Sequence, residues 1–145
     1  MKALALSNGD LVVSQHGHAT ISGPSKIRQD LALALSEPLG DDRFHTEWGS
    51  VLPSYIGLPI TGQTQSLVQS EVSRVLAYYI TVRDEYIYQD RLSGSRSRFD
   101  SSDVVSTINS IGVSISPNNA DTIQVKISLT TLAGNMITIN RTVTS

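Results

Sequence analysis

Strict alternation of apolar and polar residues near the C-terminus constrains the fold more than any other feature of this sequence. Every second residue from Ile123 to Leu129 is apolar, and Ile137, Ile139 and Val143 continue the pattern beyond a turn at Gly134. A period of two is what a strand with one buried face requires. The pattern predicts a C-terminal β-hairpin with an isoleucine-rich face on the core and a Thr-, Ser- and Asn-rich face exposed.

Two stretches have the spacing of amphipathic helices. Lys26–Ser36 places apolar residues on one face and ends before Pro38. A longer helix is predicted from Thr64 to about Arg83, with Glu71 and Arg83 largely off its broad apolar face. A short helical turn is expected from about residue 101 to 108.

Asn8-Gly9 between short apolar runs predicts a tight hairpin turn near the N-terminus, because both residues tolerate a positive φ. Together these elements predict an α+β fold. We expect two main helices packed on a mostly antiparallel sheet that ends in the C-terminal β-hairpin. At 145 residues the chain is expected to form a single domain, residues 1–145.

Composition excludes several function classes. The net charge of −2 provides no general attraction to nucleic acid or an anionic membrane, and the absence of cysteine rules out disulfides and thiolate sites. The N-terminal apolar run is interrupted at Ser7–Asp10, and the long uncharged stretch between Glu47 and Glu71 is broken by prolines and glycines. These features predict a soluble protein made without export, with no membrane and no nucleic-acid partner.

Three carboxylates are the best candidates for catalytic residues. Asp41, Asp42 and Glu47 cluster in an irregular loop, and a glycosidase needs two carboxyl groups that flank a cleft. Adjacent aspartates after a helix-ending glycine are also common solvent-exposed turn residues, and the sequence contains no G-x-S-x-G motif for a serine nucleophile. We therefore expect no enzymatic activity and no catalytic residue, with a peptidoglycan-degrading enzyme as the alternative.

Histidines and arginines supply two further possibilities. His16, His18 and His45 offer three imidazoles to a metal, but their spacing matches no known metal motif, so no metal or cofactor is expected. Arg96 and Arg98 belong to a basic run that has one aromatic neighbour and several acidic ones. A solvated linker or a protein-contact surface explains this run better than nucleic-acid binding.

The irregular segment from residue 39 to 63 contains large apolar side chains: Phe44, Trp48, Leu52, Tyr55, Ile56 and Leu58. They either cover the open end of a small core or form a protein docking surface, and both roles are compatible. We expect Arg43 and a buried Trp48 to hold this segment in one shape.

The block from Gln29 to Leu52 resembles a known family, the small baseplate wedge proteins of contractile-tailed phages, once named for lysozyme and shared with the type-six secretion baseplate. That family has a helix with Ile-x-Gln, a Gly-acidic-Arg-like loop, and an aromatic-Gly-Ser before a leucine. The matching positions are Gln29, Gly40, Arg43, Trp48, Gly49, Ser50 and Leu52. Many members also carry a Glu-Pro-Arg triplet that clamps the helical core bundle of the wedge. This chain lacks the triplet, and Arg96 and Arg98 stand near its place.

The resemblance implies a structural protein in the virion's tail baseplate, assembled in the host cytoplasm with six copies per baseplate and monomeric alone. Its partners would be the tail sheath protein, other wedge proteins of the core bundle, and the tail tube or hub. Its hairpin would accept sheath arms as added strands. The implied partner-binding residues are Gln29, Arg43, Trp48, Arg96, Arg98, Ile123, Val125, Ile127, Ile137, Thr138, Ile139 and Asn140.

Overall fold

A computed structural model describes residues 1–144. Six two-residue strands open the chain: β1 (Ala3–Leu4), β2 (Leu6–Ser7), β3 (Asp10–Leu11), β4 (Val13–Ser14), β5 (Gly17–His18) and β6 (Thr20–Ile21). They are followed by α1 (Gly23–Ser36), a 3₁₀ turn (Leu52–Tyr55), α2 (Gly62–Leu92), β7 (Val105–Ser116), β8 (Asn119–Thr131) and β9 (Met136–Thr144).

The six short strands form an N-terminal cloverleaf, residues 3–21. The β1–β6 pair is its stem, and the β2–β3 and β4–β5 hairpins are two leaves. Three residues join these pairs by a closed ring of backbone hydrogen bonds: Ala5 N–H donates to Ala19, Ala19 to Val12, and Val12 to Ala5, over 2.8, 2.8 and 3.0 Å. The predicted Asn8-Gly9 turn closes the first leaf, with both residues at positive φ, 52° and 83°.

The chain is α+β, but the predicted arrangement of two helices packed on one mostly antiparallel sheet is wrong. Within residues 1–144 the strands divide among four antiparallel sheets, three of two strands and one of three. Turns at Asn8-Gly9 and Gln15-His16 reverse the chain after two residues, so the N-terminal strands are too short to join a larger sheet. The predicted C-terminal hairpin, β8 and β9, is part of a larger sheet. β7 adds a third strand to it, in the order β7-β8-β9.

The two helices are capped in different ways at their N-termini. A reciprocal capping box between Thr61 and Thr64 starts α2, which continues to Leu92, beyond the end expected from the sequence. Pro24 stands in the first turn of α1, but no local side chain caps this helix. The buried carboxylate of Asp103, 80 positions away, accepts the Gly23 N–H instead, over 2.8 Å.

Asp103 ties the start of the chain to the region before β7. Its side chain is 1% exposed and accepts the Met1 ammonium at 2.7 Å, the Gly23 N–H and the Asp100 N–H. Burial alone raises the pKa of this carboxyl, but these donors outweigh burial and leave the pKa below its usual range. The predicted helical turn over 101–108 is absent from the described chain, since β7 begins at Val105.

One hydrophobic core connects α1, the 3₁₀ turn, α2 and the C-terminal sheet. Its fully buried members alternate along β8 and β9 and recur at helical spacing on α1 and α2: Ile27, Leu31, Leu35, Leu52, Val68, Val72, Leu76, Ile123, Val125, Ile127, Leu129 and Ile137. Glu71 and Arg83, which the sequence placed off the helix face, are buried as well.

Candidate partner-binding site

The outer side of β9 is a sheet edge without a strand partner in residues 1–144. β9 is the last strand in the sheet order, and within residues 1–144 no other strand pairs with its outer side. Its register with β8 runs without a bulge from Thr130–Met136 to Thr122–Thr144. The strand contains one charged residue, Arg141, and no proline. Natural edges are usually blunted by such residues or by bulges, so β9 is an edge suited to pairing.

The register identifies which backbone groups face outward. Thr131 N–H donates to the Asn135 carbonyl at 2.9 Å, which makes these residues a hydrogen-bonded pair at the start of the β8–β9 ladder. Bonded and non-bonded pairs alternate in an antiparallel ladder. The bonded partners on β9 are therefore the odd-numbered residues, including Ile137 and Ile139. The N–H and C=O groups of Thr138 and Asn140 consequently point away from β8.

The candidate partner-binding residues of β8 and β9 fall into two groups, according to whether their side chains are buried or exposed. Five have side chains buried in the core: Ile123, Val125, Ile127, Ile137 and Ile139. β8 lies in the centre of the sheet, so residues 123–129 do not form an edge and β9 is the strand of the predicted hairpin that can accept a partner. Thr138 and Asn140 have exposed side chains and outward backbone groups. Contact of these two residues with a partner stays a prediction.

At the opposite edge of the sheet, Gln65 near the start of α2 donates a side-chain hydrogen bond to the Val113 carbonyl of β7. Packing against helices does not distinguish the two edges, because α2 contacts β7 while α1 and the 3₁₀ turn contact β9. β7 also has register shifts at three places, whereas the β8–β9 ladder is regular. An added strand therefore meets a better template at β9 than at β7.

The second candidate feature is the loop of residues 37–51, called the pinned loop because hydrogen bonds join its two ends. Its two ends are joined where Ser50 N–H donates to the Glu37 carbonyl at 2.8 Å and Leu39 N–H donates to the Ser50 carbonyl at 2.9 Å. The Ser50 hydroxyl adds a bond to the Leu35 carbonyl. At the tip, Phe44 is 91% exposed. The loop thus presents an aromatic side chain on a fixed neck.

The pinned loop is held by an acid–base pair on α2 that the sequence analysis missed. Arg74 binds both carboxylate oxygens of Glu71 and donates to the Gly49 carbonyl at 2.8 Å. Glu71 accepts the Val51 N–H at 2.9 Å. The Arg74 hydrogen bonds, helped by Val51, hold the pKa of Glu71 below its ordinary 4.5 in spite of burial. The helical spacing of Glu71 with Val68, Val72 and Val75 was the available indication of its burial.

The expected roles of Arg43 and Trp48 are corrected accordingly. Arg43 is exposed near the loop tip, and no hydrogen bond or ion pair to it occurs within residues 1–144. Trp48 is half-buried rather than buried, and its indole N–H donates to the Glu37 carboxylate. The arginine that fixes the loop is Arg74, because α2 runs directly beneath the loop neck.

We expect Glu71→Gln to lower the free energy of unfolding near neutral pH by about 1.5–3 kcal/mol, the range for hydrogen bonds to a charged group. Because the folded-state pKa of Glu71 is depressed, its contribution is present above the unfolded pKa and disappears as the pH falls through the folded value. Urea unfolding should therefore show a difference between the two proteins that shrinks below about pH 4. A difference that stays constant with pH would contradict the role of the ionised carboxylate.

The remaining candidate residues have distinct positions. Gln29 on α1 joins the helix to the N-terminal cloverleaf, since its side chain accepts the Leu6 N–H and donates to the Leu4 carbonyl, both at 2.9 Å. Arg96 is exposed. Arg98 binds the carboxylate of Asp90 at 2.7 Å, and this bond holds the pKa of Asp90 below its usual range. Gln29 thus has a structural role, which leaves its predicted partner contact untested.

The candidate catalytic carboxylates lie in the pinned loop, outside the five best-formed cavities of residues 1–144. Asp42 caps the loop tip, where it contacts His45 Nδ1 at 2.9 Å and accepts the Phe44 N–H at 2.8 Å, and the His45 contact lowers its pKa. A glycosidase acid needs a raised pKa. Five cavities found within residues 1–144 are lined by residues other than Asp41, Asp42 and Glu47.

Residues 1–144 contain no group of three or more His, Cys, Asp or Glu side chains arranged to hold a metal ion. None of the helices described is both long enough and apolar enough to cross a membrane.

Comparison with known proteins gives one informative likeness, at the level of structure. No protein-family model matches the sequence, and no curated protein matches it either. The fold is similar to that of a Geobacter sulfurreducens protein provisionally described as a tail lysozyme, whose crystal structure was determined at 1.44 Å. The TM-score is 0.57, with 93% of this chain and 96% of that chain covered, at 12% sequence identity. This chain has that protein's fold.

Proposed function

We propose that this chain is a structural component of a contractile-tail baseplate, linking the wedge to the tail sheath. In this role it accepts a strand from the first sheath ring at the outer edge of β9. Main-chain hydrogen bonds supply most of the affinity of strand addition, and side chains supply little specificity. That chemistry suits the start of a repeating polymer.

The observation that carries this proposal is the regular, nearly uncharged edge of β9 on a chain that has the fold of a tail protein. Such an edge is a hazard in a protein that works alone, because it templates aggregation. The sequence block from Gln29 to Leu52, which resembles the wedge proteins, supports the same conclusion. Under this proposal the virion baseplate is its location, and the other wedge proteins are its remaining partners.

The direct test is the composition of purified tails from a phage that encodes this chain. We expect quantitative mass spectrometry to find it in the baseplate at six copies, next to the sheath protein and at equal copy number with other wedge proteins. Tails that lack the chain, or that carry it only along the tube, would overturn the proposal.

A tail lysozyme is the competing function, because the similar protein from Geobacter sulfurreducens carries that description. For this chain we expect no muramidase activity, since Asp41, Asp42 and Glu47 line none of the five cavities and the pKa of Asp42 is lowered. The assay is turbidity loss of purified peptidoglycan, with hen lysozyme as the positive control. Turnover by the purified chain that disappears in Glu47→Gln would establish the competing function.

A further inference from the structure

A charged cavity of about 310 Å³ lies where α1, the pinned loop and α2 meet the segment before β7. Four aromatic side chains are among its walls: Trp48, Tyr79, Tyr86 and Phe99. Its charged side chains are three cations and one carboxylate: Lys26, Arg83, Arg98 and Asp30. The Met1 ammonium also lines the cavity and is paired with Asp103. The volume is at the lower end of the range for ligand pockets, about 300–1,000 Å³, and fits one or two side chains.

Asp30 is shared among several donors. It binds Lys26 Nζ, accepts the Tyr79 hydroxyl at 3.0 Å, and lies 3.7 Å from the Arg83 guanidinium. Burial raises the pKa of Tyr79, so its phenol stays protonated and remains a donor. One carboxylate therefore balances two cations, and this part of the cavity keeps a net positive charge.

The arginines are arranged on aromatic surfaces. The Arg83 guanidinium lies between the rings of Tyr79 and Phe99, at 4.9 and 4.6 Å from their centroids. The Arg98 guanidinium lies over Tyr86 at 5.4 Å and is half-exposed. Its partner Asp90 is buried and outside the cavity lining. Stacking fixes the planes of both guanidinium groups. Arg83 already donates to the Asp103 carbonyl and the Tyr79 hydroxyl, and Arg98 donates through Nε and Nη2 to Asp90. Within residues 1–144 the Nη1 group of Arg98 has no such acceptor, so it is the donor that remains for a further carboxylate.

We propose that this cavity binds one acidic side chain, a glutamate or aspartate, from a segment of a partner protein. The aromatic walls contact the methylene stem, and Arg98 at the solvent side binds the carboxylate through Nη1, while Lys26 and Arg83 attract it through their charge. Positive charge on low-dielectric walls favours such a group over a neutral one. The contact does not depend on strand addition at β9. Its assignment to another tail protein rests on the proposed function.

Trp48 provides a direct measurement, because it lines the cavity and is the one tryptophan of the chain. Two pools of short acetylated and amidated peptides should be titrated against the purified protein while indole fluorescence is followed. The pools are identical except for a central Glu in one and Gln in the other. We expect a saturable change with the Glu pool, at least about tenfold tighter than with the Gln pool, as a charge-assisted bond predicts. Equal responses to the two pools, or no saturable response, would overturn the proposal.

Two variants with the same change of charge locate the contact. Arg98→Gln removes a cation from the cavity, whereas Arg96→Gln removes an exposed cation that does not line it. We expect Arg98→Gln to lose the preference for the Glu pool and Arg96→Gln to retain it, with Arg98→Lys intermediate. If Arg96→Gln and Arg98→Gln respond alike, the cavity is not the site. The peptide titration requires only the purified protein and no assembled tail. It can therefore fail while the β9 test succeeds, and it can succeed while the β9 test fails.

Discussion

Asn140→Pro should yield a folded protein that enters baseplates on which sheath does not polymerise. The Asn140 N–H points away from β8, so proline removes one donor from the outer edge without taking a hydrogen bond from the β8–β9 ladder. The ring also blocks the approach of an added strand. A blocked ladder loses several main-chain hydrogen bonds worth about 1 kcal/mol each, so sheath-bearing tails should fall at least about tenfold in electron micrographs.

Two companion variants separate the edge from the side chain. Thr138→Pro changes the neighbouring outward donor and should have the same effect, whereas Asn140→Ala keeps the N–H and should assemble normal sheaths. Thermal unfolding of all three purified proteins checks that the fold is retained. Sheaths of normal length on baseplates that carry either proline variant would show that β9 does not initiate the sheath.

Gly49→Ala should lower the free energy of unfolding by about 3 kcal/mol, the sum of a left-handed backbone and a steric clash. Gly49 has a φ of 97°, and a Cβ placed there would lie 2.7 Å from the Pro38 carbonyl oxygen and 2.8 Å from that of Glu37. The loop neck cannot open easily, because Ser50 bonds both Glu37 and Leu39 across it. Urea denaturation with circular dichroism measures the loss.

Gly57→Ala is the matched control for this prediction. Gly57 also has a positive φ, 83°, but no atom lies within 4 Å of the position that a Cβ would take. Its replacement should cost about 1 kcal/mol, from backbone strain alone. Equal losses in the two variants would mean that the neck at Gly49 relaxes and that its close packing is not what holds the pinned loop.

Local patterns accounted for the elements that a short stretch of chain defines. Alternation along residues 123–143 predicted β8 and β9, because a half-buried strand repeats every two residues. The Asn8-Gly9 turn was predicted correctly because those two residues tolerate the positive φ of a tight turn. Both helices were also identified from their apolar spacing, although α2 extends nine residues beyond Arg83.

The errors occurred where distant residues meet. Asp103 caps α1 from 80 positions away, and Glu71 and Arg74 bond loop residues that lie 20 and 25 positions earlier in the chain. Arg43 was the expected anchor because it stands inside that loop, yet the anchor comes from the helix beneath it. A buried polar group depends on the partners that the fold brings to it, and a sequence does not list those partners.

The sequence by itself determined the α+β class, the two helices and the inward faces of β8 and β9, since each follows from propensity and hydrophobic period within one segment. The tertiary structure decided that β9 is the open edge of its sheet, that the N-terminal strands form separate sheets, and that four charged side chains share one aromatic cavity. Each of these depends on which segments become neighbours in space, and neighbours are chosen by the burial of the whole core rather than by any one stretch of the chain.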